Sequence, residues 1–141
     1  MSSLEKRAWL MLWSMCPVYL VYFALLLAMP ERFPGMLERI SLLAVVASLH
    51  AVGYVAGLLL VKHRERGDTL LLDERDRAID GRATRTAYFV MLTGTLVVGV
   101  VMPFNKSGWE IVNAALLVIV LSEAVRNALL VTGYRGMRFA H

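Results

Sequence analysis

Chemistry-bearing residues are scarce in this 141-residue chain, which has one cysteine, three histidines and four prolines. With Cys16 alone, neither an intramolecular disulfide nor a dithiol relay is available, so the paired-cysteine membrane thiol oxidases are excluded. Met15, a bulky residue just before Cys16, argues against a lipoprotein anchor, whose signals carry a small residue there. Only His50 lies within an apolar run. His63 and His141 fall outside, so bis-histidine haem ligation is unsupported. No phosphate loop and no metal-ligand spacing is visible. Ser48, His50 and Ser122 offer only a weak case for an intramembrane Ser/His enzyme. No basic run is interleaved with aromatics, as a nucleic-acid stacking surface requires. These absences predict a protein that is not an enzyme, holds no metal or cofactor, and makes no direct contact with nucleic acid.

What the chain has instead is apolar length. Hydrophobic residues make up 58% of it, against about 45–50% in a soluble domain. They are gathered into four runs, about Trp9 to Met29, Ile40 to Val61, Ala87 to Phe104 and Ile111 to Thr132. Each is long enough to cross a bilayer as a helix. The expected fold is all-α: a transmembrane four-helix bundle forming a single domain over residues 1–141, with a charged helical loop at 62–86. The first run exceeds the roughly 7–15 apolar residues of a cleavable signal and reads as a retained helix. Pro17 within it is tolerable where neighbouring helices are present. Pro30-Glu31-Arg32-Phe33-Pro34-Gly35 and Asn105-Lys106-Ser107-Gly108 are turns, and Pro103 stops the third span.

Charge sets the orientation. Lys6, Arg7, Lys62, Arg64, Arg66, Arg75, Arg77, Arg82, Arg85, Arg135 and Arg138 fall on one side; Arg32, Arg39 and Lys106 fall on the other. The positive-inside rule then places both termini and the central loop in the cytoplasm of a cell with the chain in its inner or plasma membrane. The net charge of +4 is absorbed by this asymmetry. Trp9, Trp109 and Tyr134 stand at span ends, as belt aromatics do.

The most distinctive stretch is Asp73-Glu74-Arg75-Asp76-Arg77-Ala78-Ile79-Asp80-Gly81-Arg82-Ala83-Thr84-Arg85. It reads as a helix entering the third span, with Asp73 as cap or first-turn acid and an Asp73–Arg77 pair at i,i+4. Ile79, Ala83 and Ala87 fall four apart and can face the bundle, and Leu70-Leu71-Leu72 can lie in the membrane surface. Three readings are open. The helix can be a self-paired extension that holds the helix pairs in register. Its alternating charges, Asp73, Glu74, Arg75, Asp76, Arg77, Asp80 and Arg82, can dock a cytoplasmic partner. Asp73, Asp76 and Asp80 share a face, but Arg77 beside them and the lack of a glycine-turn ligand loop disfavour a divalent metal.

The pattern D-E-R-D-x-x-I between spans two and three resembles that of a family of small four-helix integral membrane proteins of archaea and bacteria, catalogued as a domain of unknown function. Asp73-Glu74-Arg75-Asp76, Ile79 and Ala83 carry the resemblance, and Glu123, Arg126 and Tyr134-Arg135-Gly136 are similar to its last helix. Members are often encoded beside a small helix-turn-helix repressor. The resemblance thus implies a prokaryotic membrane anchor or inhibitor of a transcription regulator.

Inside the spans, His50, Tyr54, Glu123, Arg126 and Asn127 form a candidate polar cluster. Intramembrane polar groups should face protein and be paired. Counted from the span starts, His50 lies about 15 Å deep, Glu123 about 18 Å, and Tyr54 and Arg126 about 21–22 Å. His50–Glu123 and Tyr54–Arg126 are therefore candidate neighbours. Glu123 and Arg126 can instead neutralise each other, with Arg126 snorkelling to the interface. Gly53 and Gly57 share a stripe with His50 and Tyr54 and form a small-residue packing face, within one chain or between two copies of a homodimer. The expected function is a non-enzymatic membrane protein that binds or sequesters a cytoplasmic regulator. The alternative is a small proton-coupled transporter, working as a dimer through Glu123, though multidrug exporters of this size carry their carboxylate in the first helix.

Overall fold

The computed structural model describes residues 3–64 and 74–136. They form four long helices: α1, Ser3–Ala28; α2, Met36–Arg64; α3, Glu74–Leu96; and α4, Gly108–Gly136. Among the described residues there is no strand, and the protein is all-α. All four helical segments are long and apolar enough to cross a membrane, the third counted through Phe104. The chain thus carries the span set of a multi-pass membrane protein.

The helices outrun the apolar runs at most ends. α1 starts at Ser3, so the polar head expected before the first span is itself helical, and the helix continues through Pro17. α3 starts at Glu74, and the charged stretch runs without a break into the third span, as its sequence predicts. Asp73, its proposed cap and pairing roles, and Leu70-Leu71-Leu72 lie outside the described residues, as does Arg138.

The end of the third span departs from a simple stop at Pro103. After Leu96 the chain forms a π-helical turn, Val97–Val101, then a 3-10 turn, Met102–Phe104. Pro103 has no N–H to give to Gly99 and its ring crowds that carbonyl. The backbone widens ahead of it, and the Met102 N–H reaches back five residues to the Val97 carbonyl. Asn105 and Lys106 then both donate to the Met102 carbonyl, at 3.0 and 2.9 Å, turning the chain toward α4.

The described chain falls into two compact units, Trp9–Thr69 and Met1–Ala8 with Leu70–His141. In the first, Met15, Tyr19 and Tyr22 are buried at spacings of four and three along α1, with Tyr22 fully enclosed. Gly57 of α2 is a true close approach: a Cβ there would collide with the δ carbons of Leu10. In the second, Ala83 and Ala87 are buried on α3 and Ser122, Asn127, Leu130 and Val131 on α4. Two glycines bring these helices together. A Cβ on Gly94 would lie 2.6 Å from both γ carbons of Val118, and one on Gly133 would lie 2.9 Å from Ile79 Cγ2. The two contacts share one antiparallel register, in which each residue up α3 is matched by one down α4.

The start of α4 is locked by a reciprocal capping box. Glu110 Oε2 accepts from the Ser107 N–H at 2.9 Å and from its hydroxyl at 3.0 Å, while Ser107 Oγ accepts from the Glu110 N–H at 3.4 Å. α2 uses half of the same device, with the Gly35 N–H donating to Glu38 Oε2 at 3.4 Å.

Candidate functional site

The charged half of α3 is not a free-standing surface. An α-helix turns 100° per residue, so Asp76, Ile79, Asp80, Ala83 and Ala87 fall on one side of it. That side faces α4. Tyr134 donates its hydroxyl to Asp76 Oδ1 at 2.6 Å. Arg126 Nη2 meets Asp80 Oδ1 at 2.9 Å, and its Nε donates to Thr84 Oγ1 at 3.2 Å. Two of the acids that look like docking determinants in the sequence are therefore bound to the neighbouring helix. Tyr134, expected as a belt aromatic, is part of this clamp.

Arg126 shows why the arrangement works. In the Ile79–Gly133 and Gly94–Val118 register its Cα is level with Thr86, six residues short of Asp80 on α3. That offset is about 9 Å, which an extended arginine largely covers. The side chain runs along the helix toward the loop end and delivers its charge to Asp80, which is the expected snorkelling with a carboxylate at its terminus. The pair is neither sealed nor free: the two side chains are 35% and 37% exposed.

The remaining arginines sort by the same geometry. Arg77 and Arg85, with Glu74, are exposed; by the turn of the helix Glu74 and Arg85 lie opposite the side that faces α4, and Arg77 lies at its edge, two turns before Thr84. Arg75 is exposed and has an interaction of its own. Arg82 leaves the outward face and borders a groove between α3 and α4. The mixed-sign surface read from the sequence is thus two surfaces: an inward one that uses the acids and an outward one that is mainly basic.

Within the spans, Asn127 is buried and its Nδ2 donates to the Glu123 carbonyl at 2.7 Å and to Glu123 Oε2 at 3.4 Å. Glu123 is thereby tied to its own helix, one turn on. His50 packs edge-on to Tyr19 of α1, ring centres 5.5 Å apart at 71°, and sits beside Tyr54 at 6.4 Å. His50 Nε2 is shielded and, among the described residues, has no hydrogen-bond partner. The sequence reading overlooked Tyr19, although Met15, Tyr19 and Tyr22 at helical spacing were the available signal. Of the small-residue pair, Gly57 is filled by Leu10, while Gly53 has nothing within 4 Å of where a Cβ would be.

Among the described residues, no group of three or more His, Cys, Asp or Glu is placed to hold a metal ion. Comparison of the chain with protein-family models, curated proteins and solved structures found no match.

Proposed function

We propose that the chain is a non-enzymatic protein of the inner or plasma membrane, with both termini and the α2–α3 connection cytoplasmic. Its outward α3 face would hold a cytoplasmic protein at the membrane. The orientation is supported by the eleven-to-three division of Lys and Arg between the two sides. The docking reading rests on one observation: Asp76 and Asp80 are bonded to α4, while Arg77 and Arg85, with the single acid Glu74, are exposed. A partner that meets this face should present acidic groups, since complementary potentials favour encounter and disfavour wrong partners. A helix-turn-helix regulator, implied by the resemblance that Asp73-Glu74-Arg75-Asp76, Ile79 and Ala83 carry, would be sequestered by its acidic surface, leaving the protein itself without nucleic-acid contact.

The test is recovery of partners in mild detergent from the native host, using the wild type beside an Arg77→Glu, Arg85→Glu double variant. This variant reverses the outward charge and leaves the Asp76 and Asp80 bonds in place; scrambling the whole stretch would break both surfaces together. A DNA-binding protein recovered with the wild type and lost with the variant supports the reading. Equal recovery with both removes the docking face. Proton-coupled uptake with Glu123→Gln, which tests the transporter alternative, would then come first.

A further inference from the structure

The α3–α4 interface has two flanks, and only one of them is closed. On one, Asp80, Arg126 and Thr84 bridge the helices. On the other, a groove of about 380 Å³ opens between the same two helices. That volume lies within the usual range of ligand clefts, about 300–1,000 Å³. Its floor is apolar and shallow, made by Ile79, Ala83, Leu129 and the bare backbone of Gly133. Its rim is polar, with Arg82, Thr86 and Thr132.

From this groove we propose a binding site for an anionic phospholipid, with the headgroup phosphate on Arg82 and an acyl chain along the apolar floor. Three observations converge on a lipid. The first is depth. Arg82 stands five residues before Ala87, where the apolar run of the third span begins. Five residues is about 7–8 Å along a helix, and the headgroup layer adds about 5–8 Å to each side of the roughly 30 Å hydrocarbon core. The Arg82 Cα is therefore at headgroup level, and the groove, which runs from Ile79 to Thr86 on α3, ends where the apolar run begins.

The second is charge. Among the described residues Arg82 has no carboxylate partner. The acid nearest on the interface, Asp80, is neutralised by Arg126 across the opposite flank. Asp76 accepts from Tyr134. Across residues 74–85 with Arg126, five arginines stand against three carboxylates, so a phosphate at Arg82 meets a net positive neighbourhood. The third is the pairing of functions. Thr86 and Thr132 hydroxyls donate to carbonyls of their own helices, the Arg82 carbonyl at 3.1 Å and the Ala128 carbonyl at 3.0 Å. Their oxygens remain as polar edges of the groove that Arg82 also lines. Basic pockets between membrane helices at the cytoplasmic side are where anionic headgroups bind.

The site is independent of the partner-binding reading, because it uses the flank and not the outward face. The experiment is native mass spectrometry of the purified full chain in mild detergent, titrated with phosphatidylglycerol or phosphatidylcholine. Wild type should retain phosphatidylglycerol preferentially. Arg82→Gln should lower that retention about fivefold, the worth of one arginine near a phosphate. Arg85→Gln, the same charge change on the outward face, should lower it much less. Leu129→Trp, which fills the groove without altering charge, should also lose the preference, with helix content unchanged by circular dichroism. Glycerol 3-phosphate, a headgroup without chains, should not compete. Equal losses for Arg82→Gln and Arg85→Gln would overturn the proposal in favour of a diffuse basic field. Competition by glycerol 3-phosphate would overturn it in favour of a soluble-anion site.

Discussion

Replacing Gly94 by alanine tests whether α3 and α4 are held at the distance described. The new Cβ would stand 2.6 Å from both γ carbons of Val118 and 3.2 Å from its Cβ. Carbon atoms rest at about 3.5–4.0 Å, so roughly 1 Å of separation is needed. Val118 cannot supply it by rotating, because a β-branched side chain on a helix has one strongly preferred rotamer. The helices must part, at a cost of about 1–3 kcal/mol for an overpacked contact. The usual gain of about 1 kcal/mol for alanine over glycine in a helix does not offset this. Separated helices in a bilayer remain helical, since their backbone groups have no other partners there. Gly57 provides the contrast. Its Cβ would collide more severely, but with the ends of the flexible Leu10 side chain, which can turn aside. Gly53 has nothing within 4 Å and should accept alanine without cost. Reversible unfolding in mixed micelles should therefore rank the losses Gly94→Ala, then Gly57→Ala, then Gly53→Ala, and Val118→Ala should restore most of the first. Wild-type stability of Gly94→Ala, or a Gly53→Ala loss equal to it, would refute the packing argument.

Two further outcomes are expected. A double-mutant cycle of Asp80→Asn and Arg126→Gln should give a coupling of about 1–2 kcal/mol, above that of a solvent-exposed pair and below that of a fully buried one. It should shrink as salt is raised, and a coupling of zero would mean that the 2.9 Å contact does not hold the helices together. Ser107→Ala should remove the acceptor for the Glu110 N–H, so hydrogen exchange at the first turn of α4 should quicken several-fold while exchange at the middle of the helix is unchanged.

Hydropathy found the four spans because a bilayer-crossing helix must be apolar over most of its length, and that demand is written locally. It found their ends less well. Helices continue past the apolar run wherever no breaker intervenes, as from Ala87 back to Glu74. The S-x-x-E signature of the capping box at Ser107 and Glu110 was available and would have placed the start of α4. The reorganised turn before Pro103 was less accessible, since proline marks a break but not whether the backbone ends, kinks or widens there.

The polar contacts were the least legible part, for a reason that Arg126 makes plain. Matching residues by depth assumes that a side chain acts at the level of its own Cα. A lysine or arginine does not: its charge moves several ångströms along the helix to reach water or a partner. Arg126, placed deep by its position in the fourth span, acts at the level of Asp80, 46 residues away in sequence. His50 finds its aromatic neighbour, Tyr19, on the preceding helix. Register decides such contacts, and here two glycines set it, Gly94 and Gly133, whose importance comes from an absent side chain. Once the register is known, the charged stretch becomes interpretable. Its acids and bases alternate along the chain, but a helix separates them by angle, so Asp76 and Asp80 are bonded to α4 while Arg77 and Arg85 are exposed. The proposed docking protein is therefore sought among those with an acidic surface, and the proposed phospholipid at Arg82, on the open flank.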